Sequence, residues 1–263
     1  MTNYQTEYRR QRAACGHQPK SRDDWDTRAQ AMGRDVLTGN SYNRELLRCL
    51  DFSGCRDLLD VCCGPGNLLI PAAAKLQHVY GFDFSRAMLA EARRNAQQLG
   101  VKNMTLFELD RDAAWDDVPR ADVVTASRCM DVPDMRAMAL KLNAWARRRV
   151  YFTYRVDRFY LEDALMEAIG RTCPPRPDHM LVMNVLHECG LRASLNFITS
   201  TGKVTRYRDV KDFVARVEWT VPELTETERE RVELFYAALP REGNIRLHRH
   251  SICWALFGWE KTE

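Results

Sequence analysis

Apolar residues in the middle of the chain switch repeatedly between two spacings, and each switch marks an element. Leu58–Cys62 is a short apolar run ending in a glycine-rich turn, which predicts a buried strand. Asn67–Leu76 predicts a helix, with Pro71 near its first turn, where a missing N–H costs little. His78–Phe84 predicts a second strand. Ser85 then caps a helix whose Met88, Leu89, Ala92, Ala96 and Leu99 share one face, and Gly100 stops it. Met104–Leu109, Asp122–Ala126 and Val150–Tyr154 predict three more strands. Pro133 opens a helix carrying Met135, Met138, Leu142 and Trp145. This alternation implies a parallel, doubly wound α/β sheet, with ligands along the edge formed by the strand C-termini.

The flanks read differently. Residues 1–22 are polar and basic and predict a loosely held arm. Helical spacing follows around Trp25, Ala29, Met32 and Val36, then around Leu46, Leu47 and Leu50, with a break at Gly39-Asn40. Beyond the fifth strand, Leu161–Ile169, Met180–Cys189 and Asp209–Val217 look helical. Arg192–Thr199 and Ser251–Trp259 look like strands. Thr225 and Glu228 form a capping-box pattern that opens a helix to Leu239. The expected organisation is an N-terminal arm and helical cap (1–44), a core (45–202), a helical insertion (203–245) and a final core strand (246–263). Such an insertion either shapes a substrate pocket or simply packs on the sheet.

Composition narrows the function classes. At 263 residues and 45% hydrophobic, the chain can bury one large core. A net charge of +3 is too mild to argue for nucleic acid by itself. The nine cysteines are scattered without a CxxC pair, and read as reduced thiols of a cytoplasmic protein with no metal. The weak donor sets would be Cys15 with His17, or His248 with His250. No apolar run approaches the ~20 residues of a membrane helix. Arg9, Arg10 and Arg12 interrupt any signal-peptide pattern at the start.

The chemistry-bearing stretch is Asp60-Val61-Cys62-Cys63-Gly64-Pro65-Gly66-Asn67, between the first strand and a helix. Its glycines let backbone approach a ligand closely. It resembles motif I of the class I S-adenosylmethionine-dependent methyltransferases, commonly Asp-x-Gly-x-Gly-x-Gly, with Asp60, Gly64 and Gly66 matching and Cys62 replacing the first glycine. Gly81-Phe82-Asp83-Phe84-Ser85 and Met88-Leu89 resemble the family's second strand and following helix. The resemblance covers about residues 45–155 and implies a mostly parallel, seven-stranded, Rossmann-like sheet with S-adenosyl-L-methionine as cofactor. It also implies roles for individual residues. Asp83 would accept hydrogen bonds from the ribose diol, and Phe84, with Met88, would face the adenine. Asp110 or Asp112 would meet the adenine amino group. Ser127 would lie beside the methionine portion, mainly through its backbone.

Rival readings use the same residues. A nicotinamide dehydrogenase needs G-x-G-x-x-G, and neither Asn67 nor Leu69 supplies the third glycine. A P-loop fails because no Lys-Ser or Lys-Thr follows the glycines. Cys62 and Cys63 read as packed residues rather than nucleophiles. Methyl transfer needs alignment more than a triad, so no catalytic residue is assigned. Asp131, Asp134, His179 and His187 are candidate bases, with His187 in an apolar helical pattern that suggests packing. Trp25, Tyr42, Arg128, Asp131 and His179 are the candidate substrate residues. The expected acceptor is a small molecule. RNA is the alternative: Arg9, Arg10, Arg12, Lys20 and Arg22 read first as a solvated tail and second as a phosphate contact, and Arg147-Arg148-Arg149 either precedes a strand or forms a solvated helix end. A noncatalytic cofactor-binding partner subunit is the other class.

Overall fold

The computed structural model describes residues 3–16, 18–159, 161–171, 174–221 and 223–261. Helices α1 (Tyr4–Ala14), α2 (Arg22–Thr38) and α3 (Ser41–Cys49) precede β1 (Asp57–Val61). The core continues through α4 (Leu69–Ala73), β2 (His78–Asp83), α5 (Arg86–Gln98), β3 (Met104–Glu108), β4 (Ala121–Ala126), α6 (Met135–Trp145) and β5 (Ala146–Arg155). Helices α7 (Asp163–Ile169) and α8 (His179–Glu188) lead to β6 (Ser194–Tyr207). Helices α9 (Val210–Thr220) and α10 (Glu226–Ala238), the short β7 (Arg241–Glu242) and β8 (Ile245–Glu260) complete the chain.

The sheet order is β3-β2-β1-β4-β5-β8-β6, with β7 paired to β8. Strands β1 to β5 pair in parallel, and β8 runs antiparallel to both neighbours. The expected seven strands are present, and β7 adds a two-residue eighth. Register aligns Val61 with Phe82 on one side and Ala126 on the other, so the tips of β2, β1 and β4 share one edge. The sheet is covered on both faces. Val61, Phe82, Val124, Phe152 and Phe257 belong to one core and Leu58, Val79 and Val123 to another, which explains the nearly unbroken apolar runs.

Four expectations change. The arm is a helix, α1, with Asn3 capping it and Gln5, Tyr8 and Arg12 buried. These three recur at i, i+3 and i+7, so they share one face. Tyr8 is fully buried and its hydroxyl donates to Val132 O at 2.8 Å. The helix expected over Asn67–Leu76 shrinks to Leu69–Ala73, because Lys75 closes a tight turn onto Ala72 and Gln77 N is drawn to Arg56 O at the entry of β1. Arg147–Arg149 lie within β5, where Arg147 pairs with Asp57 and Asp122, and Arg149 with Asp51 and Glu260. Finally, β6 and β8 extend far past the expected strands. Residues 203–207 and 245–250 form an antiparallel ribbon that carries α9 and α10.

That ribbon and its helices bury a core of their own, including Leu161, Leu165, Tyr207, Phe213, Val217 and Val232. The Thr225–Glu228 capping box is formed as expected. Among the described residues, no helix is long and apolar enough to cross a membrane.

Candidate active site at the strand tips

The site begins where β1 ends. Cys62 and Gly64 turn the chain with positive φ, 55° at both, and Gly66 follows at 88°. Cys62 thus adopts the left-handed backbone that glycine would adopt without strain. Three bonds pin the turn: Cys63 N donates to Phe82 O at 2.9 Å, Gly66 N to Cys63 O at 3.1 Å, and Gly64 N to an Asp83 carboxylate oxygen at 3.0 Å. A side chain added at Gly64 would meet nothing within 4 Å, so the turn faces open space there. One added at Gly66 would strike Ile70 at 2.8 Å.

Asp83 binds both strand tips together. Its second oxygen accepts from Ser85 N at 2.9 Å, and burial pushes its carboxyl up from the ordinary value. The Phe84 backbone N–H also bonds to this carboxylate, which has about four lone-pair sites and so keeps acceptor capacity beyond these three bonds. Asp60 is buried below the turn and accepts from the Thr125 hydroxyl at 2.7 Å. Burial raises its carboxyl to about 7. Asn67 accepts from the Asn43 amide at 3.0 Å, which ties the turn to α3. Pro65 O accepts from Asn95, which also donates to Gly33 O, joining turn, α5 and α2. Sequence reasoning passed over Asn95, a polar residue on the apolar face of α5. Its place among Met88, Leu89, Ala92 and Ala96 was the available signal.

The nucleoside side is arranged as follows. Phe84 is half-buried with Arg22 beside its ring at 5.9 Å, and Met88 is buried beneath. Leu109 N donates to Asp83 O at 3.1 Å, which brings the segment after β3 to the same edge. Asp110 is exposed and accepts from Asp112 N at 2.9 Å, and Asp112 lies 3.7 Å from Arg111. Cys63 is buried. Cys62 sits against the Cys129 thiol, and that contact together with burial pushes its own thiol well up, away from the nucleophilic thiolate. The eight described cysteines are free thiols.

Tyr42 occupies the tip of β4. Its hydroxyl is 2.8 Å from both Ser127 Oγ and Thr153 Oγ1, and its ring packs on Trp254 at 5.7 Å. Arg128, at φ 60°, lies over the Tyr42 ring at 4.8 Å, and its N–H donates to Thr153 at 2.9 Å. Tyr42→Phe should leave the fold intact but cost about 1 kcal/mol of stability, since the buried Thr153 hydroxyl and the half-buried Ser127 hydroxyl lose a shared partner. Chemical denaturation checks this, and an unchanged midpoint would count against the network.

Two cavities open beyond this edge. One, about 370 Å³, is lined by residues including Arg28, Arg155, Leu161, Arg216, Trp219 and Ile252. The other, about 500 Å³, lies between α1 and the proline-rich segment before α8 and includes Arg10, Val156, Arg158 and Pro175. The smaller adjoins the Tyr42 network. Thr153 and Arg155 share a face of β5, Arg155 pairs with Trp254, and Ile252 shares the Trp254 face of β8. Trp25 meets Trp219 edge-on at 5.8 Å, which places it beside the smaller cavity.

The other candidates lie apart. Asp131 is ion-paired with Arg12. Asp134 caps α6, accepting from Ala137 N at 2.9 Å. His179 stacks edge-on against Phe197 at 5.4 Å. His187, expected to be packed, is exposed on α8, because Val182, Val185 and Leu186 occupy the buried face instead. The basic arm is largely neutralised: Arg9 pairs with Asp134, Arg10 with Glu7, Arg12 with Asp131 and Arg22 with Glu108, while Lys20 lies over the Trp219 ring. Of the weak metal donors, His17 is outside the described residues and His248 pairs with Glu162. No cluster of three or more metal-ligating side chains occurs among the described residues.

Residues 58–148 match the family model for a methyltransferase domain, the span from β1 into β5 that carries every turn just described. This span is a methyltransferase domain, and it sits on the Rossmann-like fold of the class I methyltransferases. Over 258 residues this methyltransferase is 33% identical to an uncharacterized protein of Haemophilus influenzae, covering 98% of this chain and 96% of the relative. It is also 30% identical over 116 residues to the 23S rRNA (uracil(1939)-C(5))-methyltransferase RlmD of Haemophilus influenzae. That match covers 42% of this chain and 26% of the relative, so it spans about a quarter of RlmD. Among solved structures, a phosphoethanolamine N-methyltransferase of Haemonchus contortus has a TM-score of 0.56 at 16% identity. It covers 93% of the present chain and 61% of its own, and shows a shared fold.

Proposed function

We propose that this methyltransferase moves the methyl group of S-adenosylmethionine to a small-molecule acceptor held in the smaller cavity. The observation that carries this reading is the cleft at the tip of β5. Helices α2 and α9, the segment before α7 and strand β8 line a space of about 370 Å³. That lies within the roughly 300–1,000 Å³ of small-ligand sites. Neutralisation of the N-terminal arginines speaks against the arm as an RNA-binding element.

The residues at the strand tips fit the cofactor. The open space at Gly64 suits its amino-acid tail, with Asp60, Cys62, Cys63, Pro65, Gly66 and Asn67 forming the turn. The remaining acceptor capacity of Asp83 suits a ribose diol. Phe84 and Met88 would flank the base, with Asp110 or Asp112 at its amino group. Ser127 and the Arg128 backbone would lie beside the methionine portion. When bound, S-adenosylmethionine supplies an activated methyl group and its own leaving group. The chain's own contribution is to orient the acceptor and exclude water.

Two measurements test this. Asp83→Ala should weaken S-adenosylmethionine binding by roughly 1–3 kcal/mol, since the charged acceptor for the ribose diol is lost. Calorimetry with equal affinity for both proteins would refute the ribose role. Methyl-labelled S-adenosylmethionine, incubated with protein and cell extract, should place label in the dialysable fraction. Label confined to RNA would overturn the small-acceptor reading.

A further inference from the structure

The smaller cavity has an unusual charge arrangement. Four arginines line it, and only one is neutralised by a neighbour in the lining: Arg155 pairs with Asp157 at 2.7 Å. Glu162 is taken up by His248. Arg28, Arg158 and Arg216 form no ion pair among the described residues. Arg28 and Arg216 come from different elements, α2 and α9, and line the same cavity. Arg28 lies 3.5 Å above the Trp219 ring, and Trp219 is one helical turn beyond Arg216 on α9. Arg216 is also 3.5 Å from the His250 ring nitrogen on β8. Burial and the facing Arg216 push the Arg28 guanidinium below its ordinary value, as expected for like charges in one cleft.

Stacking on a ring fixes the plane of a guanidinium and leaves its N–H fork free to meet a carboxylate or phosphate. The same lining supplies apolar surface from Leu161, Trp219 and Ile252. We infer that the methyl acceptor is a small organic anion, its carboxylate or phosphate held between Arg28 and Arg216 and its apolar part against Trp219 and Ile252. This rests on the small-acceptor reading above and names its substrate class. A polyanion fits less well, because a space of about 370 Å³ has the size of a small-ligand site and not of a trough for a phosphodiester chain.

The test uses the full chain saturated with S-adenosylhomocysteine. Benzoate and phenyl phosphate are titrated against it, alongside neutral benzyl alcohol and cationic benzylamine. The anions should bind at least tenfold more tightly than the alcohol, and the better of the two tells carboxylate from phosphate. Arg28→Gln and Arg216→Gln should each lower anion affinity at least tenfold. Arg120→Gln, at the opposite end of β4, should not. S-adenosylhomocysteine affinity reports whether each variant is folded, and since the two arginines stand on separate helices, either variant alone decides the matter. Benzyl alcohol binding as well as benzoate, or anion binding indifferent to both substitutions, would overturn the inference while leaving a small acceptor in place. Methyl label transferred to bulk RNA, and lost in the Arg28 and Arg216 variants, would overturn both.

Discussion

Trp115→Ala should lower the unfolding free energy by about 3–5 kcal/mol, the usual loss for a large aromatic removed from a packed core. Trp115 is wholly buried in the connection between β3 and β4. Its ring meets Phe82 at 4.9 Å and Trp145 at 5.2 Å, Lys141 lies 4.3 Å from its centre, and its indole N–H donates to Arg111 O at 3.1 Å. Phe82 immediately precedes Asp83, so the hole would lie directly beneath a strand tip. Arg111 stands between Asp110 and Asp112, so the same substitution should also loosen that turn. S-adenosylmethionine affinity should fall as well, though by less than stability. Trp115→Phe keeps most of the ring and should recover much of the loss. Guanidinium unfolding of the three proteins checks this, and a destabilisation below about 1 kcal/mol for the alanine variant would contradict the packing described.

Asp60→Asn should stabilise the cofactor-free protein at pH 8 and do little at acidic pH. The Asp60 carboxyl titrates at about 7 in the folded chain against an ordinary 3.8, because it is buried beneath the turn. Between those values the folded state holds a proton that the unfolded chain has lost. Stability contributed by that proton is complete below about pH 4 and is lost as pH rises through 7. Asparagine has no such loss and can still accept from Thr125. The difference between the two proteins should therefore widen by roughly 2–3 kcal/mol from pH 5 to pH 8. Thermal unfolding across that range reads it directly. A constant difference would mean that Asp60 is ionised throughout, with a solvated or paired carboxylate.

The turn of residues 60–67, Asp83 at a strand end and the succession of strands β1 to β5 along the chain were legible because they are local. A strand needs its apolar run, a helix its one-sided face, and a close-approach turn its glycines within a few residues of each other. Where a single partner from far along the chain decides, the reading faltered. The arm looked loose because Tyr8 and Arg12 are polar by type, and only Val132 O and Asp131 turn them into anchors. His187 looked packed because spacing marks a face without saying which neighbour covers it. The β6–β8 ribbon was hidden because Lys203–Tyr207 and Arg246–His250 carry charges that alternation alone does not class as strand; pairing along their full length supplies the bonds that hold them.

Taken alone, the order of residues determined the strand-and-helix series that carries the glycine-rich turn, since backbone sterics and short-range periodicity act over a few residues and leave their trace in the string itself. Tertiary structure alone decided what stands opposite that turn. Arg28 and Arg216 are 188 positions apart, and only the folding of α2 and α9 over the tip of β5 gives them a common cavity. Such a juxtaposition costs no sequence signal to make, because it depends on how whole elements pack rather than on the spacing within any one of them.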